Sequence, residues 1–271
     1  GSKRALQRVI PEGRADVMAD KAGPHSDLAR AQTALSEARH VACLTGAGIS
    51  AASGVPTYRG AGGALWDGLK VEDWASPEGY ARQPERVWKW YSDRRVQLGG
   101  ISPNAGHAAL AEIERRIAGR GGTFTLATQN IDALHQRAGS RNVLELHGSM
   151  LRIRCCVCEH AREVGHEPIE EIPACPRCGA RMRPAVVWFG ELLPQDVWTA
   201  AAEAAADCDV FLTVGTSAVV YPAAGLVEMA AATGATTLEI NLEPTPASRL
   251  VDIAIQGRAD EVLPELVSGT G

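Results

Sequence analysis

Two C-x-x-C pairs, Cys155-Cys156-Val157-Cys158 and Cys175-Pro176-Arg177-Cys178, stand with sixteen residues between them. Few features restrict a chain more. Four thiolates at that spacing close on one tetrahedral Zn²⁺ and fold the intervening segment into a zinc ribbon. The metal ligands are thus expected to be Cys155, Cys158, Cys175 and Cys178. The seven cysteines are an odd number, and the N-terminal residues carry no apolar segment of the secretory kind, so a disulfide framework is disfavoured. A redox pair is the weaker reading of each C-x-x-C, because two occur and neither opens a helix after a strand. Sulfur fills the whole coordination sphere, leaves no place for water, and makes the metal structural. Cys156 is expected to be a spectator, and Cys43 and Cys208 to be core residues.

Around the cysteines the chain alternates between helical and apolar-strand patterns. A capped amphipathic helix from Ser26 precedes the strand "VACLTGAGIS", and the helix "SPNAGHAALAEIERRIA" precedes "TFTLATQN". The strands "NVLELHG" and "AVVWFG" flank the cysteine region. The helix "PQDVWTAAAEAAADC", the strand "DVFLTVGTS", the helix "PAAGLVEMAAATG" and the strand "TTLEINLEP" follow, with a short strand at "DIAIQG" and a last helix from "ADEVLPELV". This rhythm predicts an α/β fold: a Rossmann-like, doubly wound parallel sheet with a smaller inserted zinc-ribbon and helical domain. Residues 1–25 read as a loose tail. The sheet domain is expected over 26–60, 101–149 and 185–271, and the small domain from a Trp-, Glu- and Arg-rich insertion over 61–100 plus the ribbon over 150–184.

Of the 271 residues, 45% are apolar and 22% charged, with a net charge of −5. That balance argues against nucleic acid as a partner, since phosphate binding needs a basic surface. No apolar run approaches the ~20 residues that span a bilayer, so no membrane association and a cytoplasmic location are expected. Oligomeric state is not specified.

Gly46, Gly48 and Gly54 follow directly after a strand, where glycine permits a tight turn and close approach to a pyrophosphate. The spacing is not G-x-G-x-x-G, so a turn without a ligand competes. The other strand ends favour a dinucleotide: "TQNID" (128–132), "GTS" (215–217) and "NLEP" (241–244) are all polar and lie on the edge where open α/β sheets bind ligands. His147 ends an apolar strand on that same edge. With four thiols at hand, zinc has no need of it, and an unperturbed pKa near ~6.5 suits a general base. His25, His40, His107, His135, His160 and His166 lack that placement.

Together "GAGISAASGVPTYRG", "TQNIDALHQRAG", "LELHG", the paired C-x-x-C knuckles, "VVWFGE" and "GTSAVVYPAAG" resemble the sirtuins, NAD-dependent protein lysine deacylases, from about Val41 to Val262. The resemblance implies NAD as co-substrate, one structural Zn²⁺, and acyl-lysine proteins or peptides bound in a cleft between the two domains. By analogy, the acyl oxygen attacks the ribose carbon that carries nicotinamide. His147 then takes a ribose hydroxyl proton, and the products are lysine, nicotinamide and O-acyl-ADP-ribose. It places Gly46, Ala47, Gly48, Ile49 and Ser50 along phosphates and ribose, with Gln129, Asn130, Ile131 and Asp132 around the nicotinamide ribose. Asn130 and Asp132 join His147 as catalytic residues. Gly215, Thr216, Ser217, Asn241, Leu242, Glu243 and Ala259 hold the adenosine half, and Arg59 lies beside the nicotinamide. Tyr58 departs from the phenylalanine usual before that arginine.

"WYSDRR" sharpens the expectation. Tyr91 and Arg94, three apart, share a helix face, and the branch of the family acting on succinyl- and malonyl-lysine carries Tyr-x-x-Arg at this point. A guanidinium binds a carboxylate through two hydrogen bonds and a tyrosine hydroxyl adds a third, while small Ala61 leaves room for a longer acyl chain. Succinyl and malonyl are therefore expected to be favoured over acetyl. The competing readings are an ADP-ribosyltransferase or NAD hydrolase using the same ribose carbon, a zinc-ribbon interaction module without catalysis, and, more weakly, a dehydrogenase.

Overall fold

The apolar run Val41–Leu44 lies at the centre of a parallel sheet, and its side chains alternate between two cores as strand geometry requires. The computed structural model describes residues 24–56, 70–217 and 221–269. Helix α1 (Pro24–Glu37) leads into β1 (His40–Thr45) and the short α2 (Ala47–Ser50); α3 (Val71–Trp74), α4 (Pro77–Arg82), α5 (Pro84–Gly99) and α6 (Ala105–Gly119) precede β2 (Thr123–Thr128). Next come α7 (Leu134–Arg137), β3 (Val143–Glu145), β4 (Gly148–Cys155), β5 (Ala161–Glu163) and β6 (Met182–Val186). Then α8 (Gln195–Asp207), β7 (Val210–Val214), α9 (Gly225–Thr233), β8 (Thr236–Asn241), β9 (Ile253–Gln256) and α10 (Ala259–Ser268) follow.

Six strands pair in the order β3-β2-β1-β7-β8-β9, all parallel. Val41 and Cys43 face a core shared with Leu35 of α1, Leu110 and Ile113 of α6 and Leu263 of α10. Ala42 and Leu44 face the opposite core, closed by Ala201 and Ala205 of α8 and Leu226 of α9. Each fully buried Leu or Ile contributes roughly 1.5–3 kcal/mol. Chain order reverses between β1 and β7, which makes the space beyond their C-terminal ends the switch point where such sheets hold ligands. This is the doubly wound arrangement the sequence predicts.

The remaining strands form a separate antiparallel sheet, β5-β4-β6. Here the expected core strand "AVVWFG" needs correction: β6 stops at Val186 and pairs with β4, outside the parallel sheet. A continuous apolar run fits a buried antiparallel strand roofed by aromatic rings as well as a parallel core strand, so pattern alone does not separate them. Those rings belong to a third core, in which Trp74, Tyr80, Trp88, Trp90 and Tyr91 of α3–α5 meet Ile153, Met182, Val186 and Trp188. No helix among the described residues is long and apolar enough to cross a membrane.

Candidate active site

At the switch point the turns after β1 and β7 interlock. Gly46 N–H donates to Val214 O at 3.1 Å and Gly48 N–H to Gly215 O at 2.7 Å. A Cβ on Gly48 would stand 2.7 Å from Gly215 Cα, and Gly215 itself has φ +59°. These glycines therefore serve first the contact between the two turns, since a side chain at either position would force the strands apart. The helix after the turn, α2, is only one turn long and runs into a 3₁₀ turn over Ala51–Ser53. Its dipole adds little.

Polar side chains from four strand ends, those of β1, β2, β7 and β8, gather there. Ser50, fully buried, donates to Asp132 Oδ2 at 2.7 Å, and Asn130 Nδ2 donates to Gly46 O at 3.0 Å and to Ser50 Oγ at 3.2 Å. Asp132 Oδ1 accepts from Leu134 N at 2.9 Å across Ala133, whose φ of 58° is left-handed for a residue with a Cβ. Such strain persists only where surrounding contacts dictate it. Burial raises the Asp132 carboxyl above its ordinary value, against the bonds from Leu134 and Ser50. Gln129 Nε2 donates to Thr216 Oγ1 at 2.8 Å and Asn241 Nδ2 to Thr216 O at 2.9 Å. Three carboxamides, two hydroxyls and a carboxylate, in two hydrogen-bonded sets at one sheet edge, suit a ligand bearing many hydroxyls, so the residues present fit NAD.

His147 lies in the two-residue link between β3 and β4, one residue beyond buried Leu146 rather than within the strand. Its Nδ1 is 3.0 Å from Gln129 O. A carbonyl only accepts, so Nδ1 carries the proton and Nε2 the lone pair of the neutral ring. Burial lowers the imidazole pKa below its usual value, and the Gln129 bond opposes this in part. The ring is a neutral base at physiological pH.

Cys155, Cys158, Cys175 and Cys178 bring their sulfurs within 4.8 Å of one another, with Cys155–Cys178 at 3.4 Å and Cys158–Cys175 at 3.6 Å. A tetrahedron with Zn–S bonds of about 2.3 Å has edges of about 3.8 Å, so the four fit one zinc ion. Backbone N–H groups of Cys158 and Val157 reach the Cys155 sulfur and lower its pKa below the ordinary thiol value, the direction a metal-binding thiolate needs. His147 takes no part. Cys156 is exposed, whereas Cys43 and Cys208 are buried core residues.

Comparison with known proteins agrees with this geometry. The family described as the Sir2 family matches residues 46–222. The chain belongs to the Sir2 family. It is 52% identical over 234 residues to "NAD-dependent protein deacylase 2" of Pyrobaculum aerophilum, covering 86% of this chain and 92% of that protein. It is 39% identical over 265 residues to "NAD-dependent protein deacylase sirtuin-5, mitochondrial" of Danio rerio, covering 89% and 86%. A solved Sir2 homologue–NAD complex superposes with a TM-score of 0.82 at 43% identity, covering 89% of this chain and 93% of that one.

In this Sir2-family chain Tyr91 and Arg94 both lie on α5. Tyr91 is buried, and its hydroxyl accepts from Trp188 Nε1 at 3.0 Å. Arg94 is half-buried; its guanidinium lies 3.4 Å from the Trp90 ring centroid and donates to Trp90 O at 3.3 Å. Ile131 packs beside the aromatic core, Ala259 is buried at the start of α10, and Ser217, Leu242 and Glu243 are exposed at the β7 and β8 ends. Ala47 is half-buried beside buried Ile49. Tyr58, Arg59 and Ala61 lie outside the described residues.

The sequence missed two histidines of the Sir2 site. His107 and His135 are wholly buried behind Ser50, with ring centroids 4.9 Å apart. Asn104 N–H donates to His107 Nδ1 at 3.3 Å, so Nε2 carries the proton and donates to Ser50 Oγ at 3.3 Å. His135 Nε2 reaches Thr45 Oγ1 at 2.9 Å. Burial lowers their pKa values to about 4 and about 3, and both rings stay neutral. A clue to His107 existed: it occupies the third position after an Asn N-cap, where a capping-box residue reaches back.

Proposed function

We propose that this enzyme removes acyl groups from protein lysines with succinyl and malonyl favoured over acetyl, and that His147, Asn130 and Asp132 carry the reaction. It is an NAD-dependent protein deacylase, as the relatives' names describe those proteins. NAD, when bound, supplies an electrophilic ribose carbon. His147 offers its Nε2 lone pair to a ribose hydroxyl proton, in the tautomer that Gln129 O imposes. Asn130 and Asp132, tied through Ser50, present a carboxamide and a carboxylate to ribose hydroxyls. Burial of Ser50, Asp132, His107 and His135 removes competing water from behind the site.

The acyl preference rests on Arg94. Its guanidinium is half-buried, burial lowers its pKa, and it forms no ion pair among the described residues; its neighbour Asp93 pairs with Lys89 instead. A partly desolvated cation gains most from a carboxylate brought by the substrate. A charge-assisted hydrogen bond of about 1.5–3 kcal/mol corresponds to roughly a 10- to 150-fold preference over a neutral acyl group. Acetyl, malonyl, succinyl and glutaryl peptides with NAD, read by mass spectrometry, test this. Arg94→Met is expected to lower kcat/KM for succinyl by that factor and for acetyl far less. Equal losses on both substrates refute the preference.

A further inference from the structure

Trp188 stands where the catalytic base, the zinc-bearing sheet and the helix of Tyr91 meet. The residue before it, Val187, donates its N–H to His147 O at 2.9 Å. Its own N–H donates to Glu191 Oε2 at 2.8 Å, and the next residue, Phe189, donates to Ala75 O at 2.9 Å. Glu191 is gripped by buried Arg183 at 2.6 and 2.8 Å and by Arg154 at 2.9 Å. Arg154 and Arg183 are cross-strand neighbours on β4 and β6, so Glu191 neutralises two like charges set side by side. The Arg183 guanidinium lies 3.4 Å from the Trp188 ring centroid, with Tyr80 at 5.3 Å. An indole held this firmly has one polar atom, and it donates to the Tyr91 hydroxyl oxygen at 3.0 Å.

From this we infer that Trp188 is a positioning residue for acyl-tail selectivity. An indole N–H only donates, so the Tyr91 hydroxyl must accept from it and turn its own proton another way. A hydroxyl that accepts one hydrogen bond becomes a better donor of the next. Trp188 thereby fixes the direction and strength with which Tyr91 donates to an acidic acyl tail. Because Val187 is bonded to His147, Trp188 also ties that donor to the base. Trp188 acts through Tyr91, and the inference rests on the acidic-acyl reading above.

The test compares kcat and KM for succinyl and acetyl peptides in the wild type, Trp188→Phe, Tyr91→Phe, the double variant and Arg94→Met. Trp188→Phe is expected to lower the succinyl-to-acetyl ratio of kcat/KM about fivefold, mainly through the succinyl KM. In the Tyr91→Phe background it is expected to change that ratio less than twofold. Should Trp188→Phe not fold, site-specific replacement of Trp188 by 3-benzothienylalanine keeps the shape and removes only the N–H, with the same expectation. Proportional losses on both substrates, or an effect that persists without the Tyr91 hydroxyl, overturn the inference. If Arg94→Met lowers the ratio while the position-188 variants leave it intact, only this inference fails. If the wild type shows no succinyl preference and Arg94→Met does not alter the ratio, the acidic-acyl reading fails and takes the inference with it.

Discussion

The six-stranded sheet and the three-stranded sheet with its aromatic helices are ordered by different forces. In the parallel sheet, two continuous apolar cores and backbone pairing fix the strand ends, and the polar groups there lean on main-chain carbonyls: Asn130 on Gly46, His147 on Gln129, Asn241 on Thr216. In the smaller region, order comes from four sulfurs, from the Arg154–Glu191–Arg183 ion pairs and from aromatic rings packed at a tilt. Under the proposed function, the bond-making groups sit on the first and the groups that read the acyl tail on the second.

Chelation should break the comparison most visibly. Structural zinc sites supply about 10–16 kcal/mol of ordering, so full metal removal is expected to abolish near-UV dichroism from the tryptophan cluster and to end deacylation. Far-UV signal from the helices on the parallel sheet should persist. An unchanged near-UV spectrum after complete zinc loss would show that the aromatic core orders itself.

His147→Ala tests the other region. Losing a general base lowers rate by about 10²–10⁴, and acetyl and succinyl peptides should suffer alike, with NAD still bound in a calorimetric titration. Unequal losses would mean that chemistry and recognition are not divided as described.

A smaller effect is expected from Gly48→Ala, whose Cβ would meet Gly215 Cα at 2.7 Å. Overpacking of this kind costs about 1–3 kcal/mol, so Tm should fall and the KM for NAD should rise. A normal Tm and KM would show that the turns part without penalty.

The mildest test is acid titration. His107 and His135 have folded pKa values of about 4 and about 3, below the ordinary 6.5, so the unfolded chain binds more protons between those limits. Stability is therefore full above pH 6.5 and falls as the pH drops toward 4 and then 3. Tm measured over that range should decline, with a shallower slope in His135→Gln; an identical slope would clear the histidines. Activity should keep its plateau to a pH below 6.5, because the base itself is depressed.

The sequence carried the parallel sheet because strand and helix periods differ, and the zinc site because cysteine spacing is a geometric statement. His147 stood out by its place on a polar strand edge. His107 and His135 did not, because a neutral histidine buried against a serine or threonine leaves no spacing signature. β6 was misplaced because an apolar run does not say which sheet it joins. The tie from Trp188 to Tyr91 spans 97 residues and exists only once α5 and the β6 loop are side by side.

Only Leu146 and His147 separate the last residue of β3 from the first of β4. The base thus occupies a coupling between two bodies, anchored on one side by a side chain sunk in the larger of them. If His147 is the base as proposed, its aim depends on the join between the two sheets: Leu146 roots the link in the larger one, and the bond from Val187 N–H to His147 O fastens it to the strand end of the smaller.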